Sequence, residues 1–275
     1  VNLIYLIDAI QNYVHENFVV RIRGQKFSDA DQVRFTEHFG KLAVPTLQQT
    51  FGKTQTGTPD HMSTVSNIEI GGKKIGQFGS EELDWHSDLN YKERPHAWSL
   101  LHAIELPSKG GDTHFVNTRL AYEALSSDMK DTINDISARH DIWSLSLQRG
   151  SKDHGKLARG IRKPDNYGEK DWWKRHNGVE HPLVRTHPNT KQKSLYFGRR
   201  LNLYVPGIPY DESEQLINYL YEHTITNKNF VWVQNWQIGD LIIWDNRSGM
   251  HRREPFDPKQ RRLMRRTNTQ GERPF

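Results

Sequence analysis

The 275-residue sequence predicts a mainly β fold, a sandwich or barrel of short strands with flanking helices packed outside. Three observations carry this expectation. Short apolar stretches recur along the chain and are separated by turn residues. Helical periodicity is concentrated in the first half. No internal repeat, low-complexity tract or Pro/Gly/Ser-rich linker divides the chain, so residues 1–275 are expected to form a single domain.

The elements follow in order. Residues 3–16 place Leu3, Ile4, Leu6, Ile7, Ile10 and Val14 at helical spacing. Phe18-Val19-Val20 reads as a buried strand. Residues 28–39 read as a helix, with Ser28 as N-cap and Asp31 favouring the first turn. Strands are expected at 64–70, 97–106 and 113–116, and two short helices at 119–125 and 128–137. Residues 147–178 are polar and aperiodic, the pattern of a lid inserted in a compact domain. Strands at 182–185 and 195–197, a helix at 212–223, and strands at 230–233, 240–244 and 262–267 complete the chain.

Composition removes several function classes. The absence of cysteine excludes disulfides, thiolate metal sites and cysteine nucleophiles, and fits a cytoplasmic address. No apolar run approaches a membrane span, and no signal peptide is visible, so no membrane partner is expected. The net charge of +5 is matched by residues 149–175 alone, which hold nine Lys/Arg against four Asp/Glu. Such a segment is either a solvated loop or an attractor of anions. Its acids interrupt the basic run and no nucleic-acid motif accompanies it, so no nucleic-acid partner is expected. A homo-oligomer stays open as a partner.

The fourteen histidines offer metal chemistry. In Trp85-His86-Ser87-Asp88, a strand would put His86 and Asp88 on one face, ready to offer an imidazole nitrogen and a carboxylate oxygen to one ion. A distant second histidine would complete a facial triad with open positions, suited to non-haem iron. The His-x-Asp pattern by itself is weak, since a chain this rich in histidine contains such a triplet by chance. The C-terminal part adds to it. An apolar strand runs into Trp244-Asp245-Asn246-Arg247, His251 follows, and Arg261, Arg262, Arg265 and Arg266 crowd one short strand. Arg261 and Arg265 read as surface ion pairs. Arg262 and Arg266, four apart, share a face and fit carboxylate recognition, because guanidinium grips carboxylates bidentately.

Together with Gly110-Gly111-Asp112-Thr113, these stretches make the chain, from about Phe18 onward, resemble the taurine dioxygenase family, which includes alkylsulfatase and phenoxyalkanoate dioxygenases. The resemblance implies a double-stranded β-helix, or jelly roll, and an oxidoreductase that uses Fe(II), 2-oxoglutarate and O2. It implies hydroxylation of a small anionic substrate (a sulfonate, sulfate ester, carboxylate or phosphonate) with release of succinate and CO2. It makes His86, Asp88 and His251 the catalytic metal ligands, and Thr113 and Arg262 the binders of the distal carboxylate of 2-oxoglutarate. It places Arg266 between co-substrate and substrate. Tyr91, Phe197, Arg199 and Arg200 are further candidates for the substrate pocket. Taurine users carry a His-x-x-Tyr pair upstream of the metal motif and an Asn four residues before the metal histidine. Here residues 46–60 hold neither His nor Tyr, and Glu82 takes the Asn position, which counts against taurine. The rival readings are a cupin-type metal-dependent hydrolase or isomerase, and a non-enzymatic jelly-roll binding protein. Neither needs Thr113 and Arg262 in a special role.

Overall fold

The computed structural model describes residues 3–45, 58–141, 178–198 and 203–275. The expected lid therefore lies almost wholly outside the described residues, as do Arg199 and Arg200. No helix among the described residues is long and apolar enough to cross a membrane.

The chain opens with helix α1 (Leu3–Asn17), strand β1 (Val19–Ile22) and helix α2 (Asp29–Glu37). Ser28 caps α2 through a reciprocal box with Asp31, which satisfies two donors at the helix start. Strands β2 (Met62–Ser66), β3 (Glu69–Ile70), β4 (Lys73–Lys74), β5 (Leu83–His86), β6 (His96–Glu105) and β7 (Thr113–Asn117) follow. Helices α3 (Thr118–Glu123) and α4 (Ser127–Ile133) lead to β8 (Ser137–Asp141). Beyond lie β9 (Gly178–Pro182), β10 (Val184–Thr186), β11 (Lys193–Leu195), β12 (Leu203–Tyr204) and helix α5 (Tyr210–Thr226). The last strands are β13 (Val231–Gln234), β14 (Leu241–Asp245), β15 (Gly249–Arg253) and β16 (Leu263–Gln270).

Two antiparallel sheets form the jelly roll. The larger has the order β1-β14-β6-β16-β2, the smaller β13-β7-β15-β5. Their non-consecutive neighbours are what winds the chain back and forth between layers. Between the sheets, Val65, Leu101, Ala103, Ile242, Trp244 and Met264 of the larger pack on Phe115 and Trp232 of the smaller. The outer face of the larger sheet is also covered. Trp98, Leu100, Leu241 and Ile243 alternate with the inner set and pack on Ile7, Ile10 and Val14 of α1. Burial on both faces explains why β14 reads as a continuous apolar run rather than as alternation. Fully burying each such aliphatic side chain is worth about 1.5–3 kcal/mol. The outer face of the smaller sheet presents Trp85, Val116 and Met250 to Ala121 of α3, Ile133 of α4, and Ile217 and Leu220 of α5.

Three expectations shift. The strand expected at 64–70 breaks after Ser66, because the Asn67 side chain turns away to bond the Pro258 and Gln260 carbonyls and the Arg262 N–H. The helix expected over 128–137 stops at Ile133, and Ser137 instead begins β8, paired with Pro182. The segment around His251, too polar to announce itself, is the strand β15.

Candidate active site

His86 and His251 are direct cross-strand partners at the β5–β15 pairing, so their rings meet with centroids 4.3 Å apart. Strand β5 ends at His86, and Asp88 lies beyond it. The strand periodicity expected to bring His86 and Asp88 together is therefore not what does so. Asn246 does. Its side-chain carbonyl accepts the Asp88 N–H at 2.8 Å, and its amide donates to the Asp88 and His96 carbonyls, each at 3.0 Å. This clamp folds the chain after β5 so that the carboxylate returns to the imidazoles. Asp88 Oδ1 then lies 3.8 Å from His86 Nε2 and 4.0 Å from His251 Nε2. All three residues are buried, and their ligand atoms lie within 4.8 Å of one another.

The tautomer of His86 follows from its partner. Nδ1 lies 2.7 Å from the Asp84 carbonyl, which can only accept, so Nδ1 carries the hydrogen and Nε2 the lone pair. His251 is held by rings, with Trp244 at 5.0 Å and a near-parallel Phe115 at 6.1 Å. Two imidazoles and one carboxylate on one side of a buried point fit a divalent iron and leave its other positions to small ligands. When bound, the metal supplies redox chemistry with dioxygen.

Arg266 projects from β16 into the same space. Its guanidinium donates to Asp88 Oδ2 and lies over the Trp244 ring, 5.2 Å from its centroid. Burial pushes its pKa down to about 10, so it remains a cation at neutral pH. Ser99, which takes a 2.6 Å hydrogen bond from Asn268, borders the same carboxylate oxygen at 3.5 Å.

Arg262 lies at the foot of β16 and is 2% exposed. Among the described residues its guanidinium has one long bond, 3.5 Å to the Gly111 carbonyl, and no carboxylate partner, and its Nε has no partner. Burial first, and the neighbouring Arg253 cation second, push its pKa down to about 9, with Asp112 opposing them. A buried cation without a counter-anion is costly unless a ligand supplies one. Gly111 has a positive φ of 74°, and a side chain there would approach Arg262 Nε, so the Gly-Gly turn keeps that approach open. Thr113, also buried, is the Cα partner of Arg253 across β7–β15.

The other described candidates make local contacts of their own. Arg261 pairs with Glu105 at 2.7 Å and Arg265 with Asp29 at 3.0 Å, the ion-pair roles expected of them. Phe197 sits in the core under α5, edge-on to Tyr221. Tyr91 is half-buried beside Lys92. The sequence reading missed Arg253, whose guanidinium bonds the Phe78 and Glu81 carbonyls and shares the Phe256 ring with Arg262. Its signal was its place two residues after His251, which puts both on one strand face once a strand is recognised there. Trp236 was missed as well. Its indole N–H donates to Thr113 Oγ1 at 3.0 Å.

The chain is similar to known proteins over most of its length. The profile of the taurine catabolism dioxygenase TauD, TfdA family matches residues 5–268. An alpha-ketoglutarate-dependent 2,4-dichlorophenoxyacetate dioxygenase of Cupriavidus pinatubonensis is 30% identical over 94% of this chain and 87% of its own length. An alkylsulfatase of Acinetobacter baylyi is 30% identical over 97% of this chain and 77% of its own. The crystal structure of AAD-2 with Mn(II) and N-oxalylglycine superposes with a TM-score of 0.73 at 27% identity, covering 98% of this chain and 88% of that one. The chain belongs to the taurine catabolism dioxygenase TauD, TfdA family and is an iron(II)- and 2-oxoglutarate-dependent dioxygenase.

Proposed function

We propose that His86, Asp88 and His251 hold the iron, that Thr113 and Arg262 bind the distal carboxylate of 2-oxoglutarate, and that Arg266 faces the acidic group of a small anionic substrate. The observation that carries this reading is the buried Arg262 guanidinium. It has no carboxylate partner among the described residues, and Arg266, four residues further along the same run, touches Asp88 of the triad. A hydrolase or isomerase on this scaffold leaves that cation unexplained. N-oxalylglycine, an isostere of 2-oxoglutarate, occupies the similar structure, and the relatives' names include sulfonate, phenoxyalkanoate and sulfate-ester chemistry.

The roles of the protein groups follow from their chemistry. The Asp84 carbonyl fixes the His86 tautomer, and Asn246 fixes the Asp88 backbone that carries the carboxylate. The Arg262 fork neutralises the far end of the co-substrate, which leaves its keto-acid end to face the triad. Arg266 holds its positive charge close to Asp88, where an incoming substrate anion would find it. Trp244 and Phe115 exclude water from the His251 side.

The test separates the two arginines. Arg262→Ala is expected to raise KM for 2-oxoglutarate about ten- to a hundredfold, with KM for the prime substrate nearly unchanged. Arg266→Gln is expected to abolish the preference for an anionic substrate over its neutral isostere, for example a sulfonate over its sulfonamide. Metal content is measured alongside, because Arg266 touches Asp88. An unchanged keto-acid KM in Arg262→Ala removes the co-substrate assignment. Equal turnover of neutral and anionic substrates by the unaltered protein removes the anionic-substrate assignment.

A further inference from the structure

The Thr113 hydroxyl can both donate and accept, and a carboxylate can only accept. For Thr113 to hold a carboxylate, its hydrogen must point at the ligand. Among the described residues, the single hydrogen bond on its side chain comes from Trp236 Nε1, at 3.0 Å. An indole N–H is a donor and never an acceptor. It therefore occupies a lone pair of Thr113 Oγ1 and leaves the hydroxyl hydrogen to be given elsewhere.

The indole is held firmly where it does this. Gln234 is the Cα partner of Thr113 across β13–β7, and Trp236 follows two residues later in the turn toward β14. The buried Asp240 carboxylate pins that turn, accepting from Gln234 Nε2 at 2.6 Å and from the Gln237 N–H at 3.0 Å. On the other side, Asn235 bonds Asp112 at 2.7 Å, next to Thr113. The ring itself is half-buried against the inter-sheet core.

We infer that Trp236 is a positioning residue for the co-substrate: its indole N–H sets the Thr113 hydroxyl as a donor toward the distal carboxylate of 2-oxoglutarate. This rests on the reading that Thr113 binds that carboxylate. Donation into Oγ1 also polarises the hydroxyl and strengthens the bond it gives. The half-buried indole doubles as an intrinsic reporter, since a carboxylate arriving on Thr113 changes the surroundings of the group bonded to it.

The test is calorimetric titration of N-oxalylglycine into the Mn(II)-loaded protein, with indole fluorescence followed in parallel. Oxalate serves as a control, because it chelates metal but has no distal carboxylate. Thr113→Val is expected to weaken N-oxalylglycine about tenfold, and Trp236→Phe about three- to tenfold. The double variant is expected to bind no more weakly than Thr113→Val alone, and oxalate to bind all of them equally. If Trp236→Phe does not fold, 3-benzothienylalanine at position 236 keeps the ring size and removes only the N–H. Wild-type affinity without the N–H, losses that add in the double variant, or an equal loss for oxalate would overturn the role of Trp236 and leave Thr113 standing. Wild-type affinity in Thr113→Val would instead overturn the co-substrate reading of Thr113, and the role of Trp236 with it.

Discussion

Among the described residues lie two clusters of two histidines and one aspartate. In each, the ligand atoms are close enough to share an ion. One is His86, Asp88 and His251, the other His15, His187 and Asp245. They differ in what else the carboxylate does. Asp245 is gripped by Arg247 through Nε and NH2, each at 2.7 Å, and takes His187 Nε2 at 2.9 Å. His187 Nδ1 in turn accepts the N–H groups of Asn189 and Thr190. Burial by itself would raise the Asp245 pKa, but Arg247 and His187 hold it well below the usual carboxylate range. Its charge is already spent on a guanidinium, and a metal would have to displace that fork. Asp88 turns Oδ1 toward two imidazoles and gives only Oδ2 to Arg266. A donor set becomes a metal site only when its anion is not fully engaged by a protein cation.

The comparison yields expectations that range from large to small. His251→Ala should abolish turnover, more than about a hundredfold, and take most of the iron with it. His187→Ala should leave one iron per chain. Iron retained in the first variant and lost in the second, read by metal analysis, would reverse the assignment.

Asp245→Ala should destabilise the fold by up to about 3–5 kcal/mol, since it leaves the buried Arg247 cation only the partly exposed Glu272 carboxylate, 3.8 Å away. Denaturant midpoints measure this, and a change below about 1 kcal/mol would mean that the network contributes little to the fold.

Asn246→Ala should weaken metal binding about ten- to a hundredfold, because the Asp88 loop loses its clamp. Competition with a chelator reads the affinity. An unchanged value would mean that the loop holds its own shape.

The effect of pH is graded rather than all-or-none. Burial lowers the pKa values of His96 and His181 from 6.5 to about 4. Between those values the unfolded chain takes up protons that the fold refuses. Stability is therefore full above about pH 6.5 and falls as pH drops toward 4, by roughly 1 kcal/mol per unit for each histidine. Asp245, with its lowered pKa, adds a further loss only below the ordinary carboxylate range. Melting temperatures across this window check the slope, and His96→Gln should flatten it.

Much of the site was legible because its pieces are local. His86-Ser87-Asp88, the Gly-Gly turn before Thr113, and the spacing from His251 to Arg262 stand in the sequence as written. The pairing of Arg261 and Arg265 with surface acids, against the burial of Arg262 and Arg266, also follows from one strand with two faces. What was not legible depended on contacts between distant segments. Helix 128–137 reads well in isolation, yet Ser137 is taken by pairing with Pro182. Phe197, a pocket candidate with no motif behind it, packs in the core against Tyr221 of α5, a contact between segments distant in the chain.

By itself, the sequence determined which residue types were available and which of them alternate, and so the mainly β architecture, while the choice of His86, Asp88 and His251 as donors rested on the family resemblance. Only the tertiary structure decided which donors are committed. His187 and Asp245 are far apart in the chain, as are Trp236 and Thr113, and Asn246 and Asp88. Whether a buried charge or hydroxyl is satisfied by the protein or left for a ligand is a matter of a few ångströms between strands. Side-chain period can place a residue on a face, but it carries no information about what stands opposite.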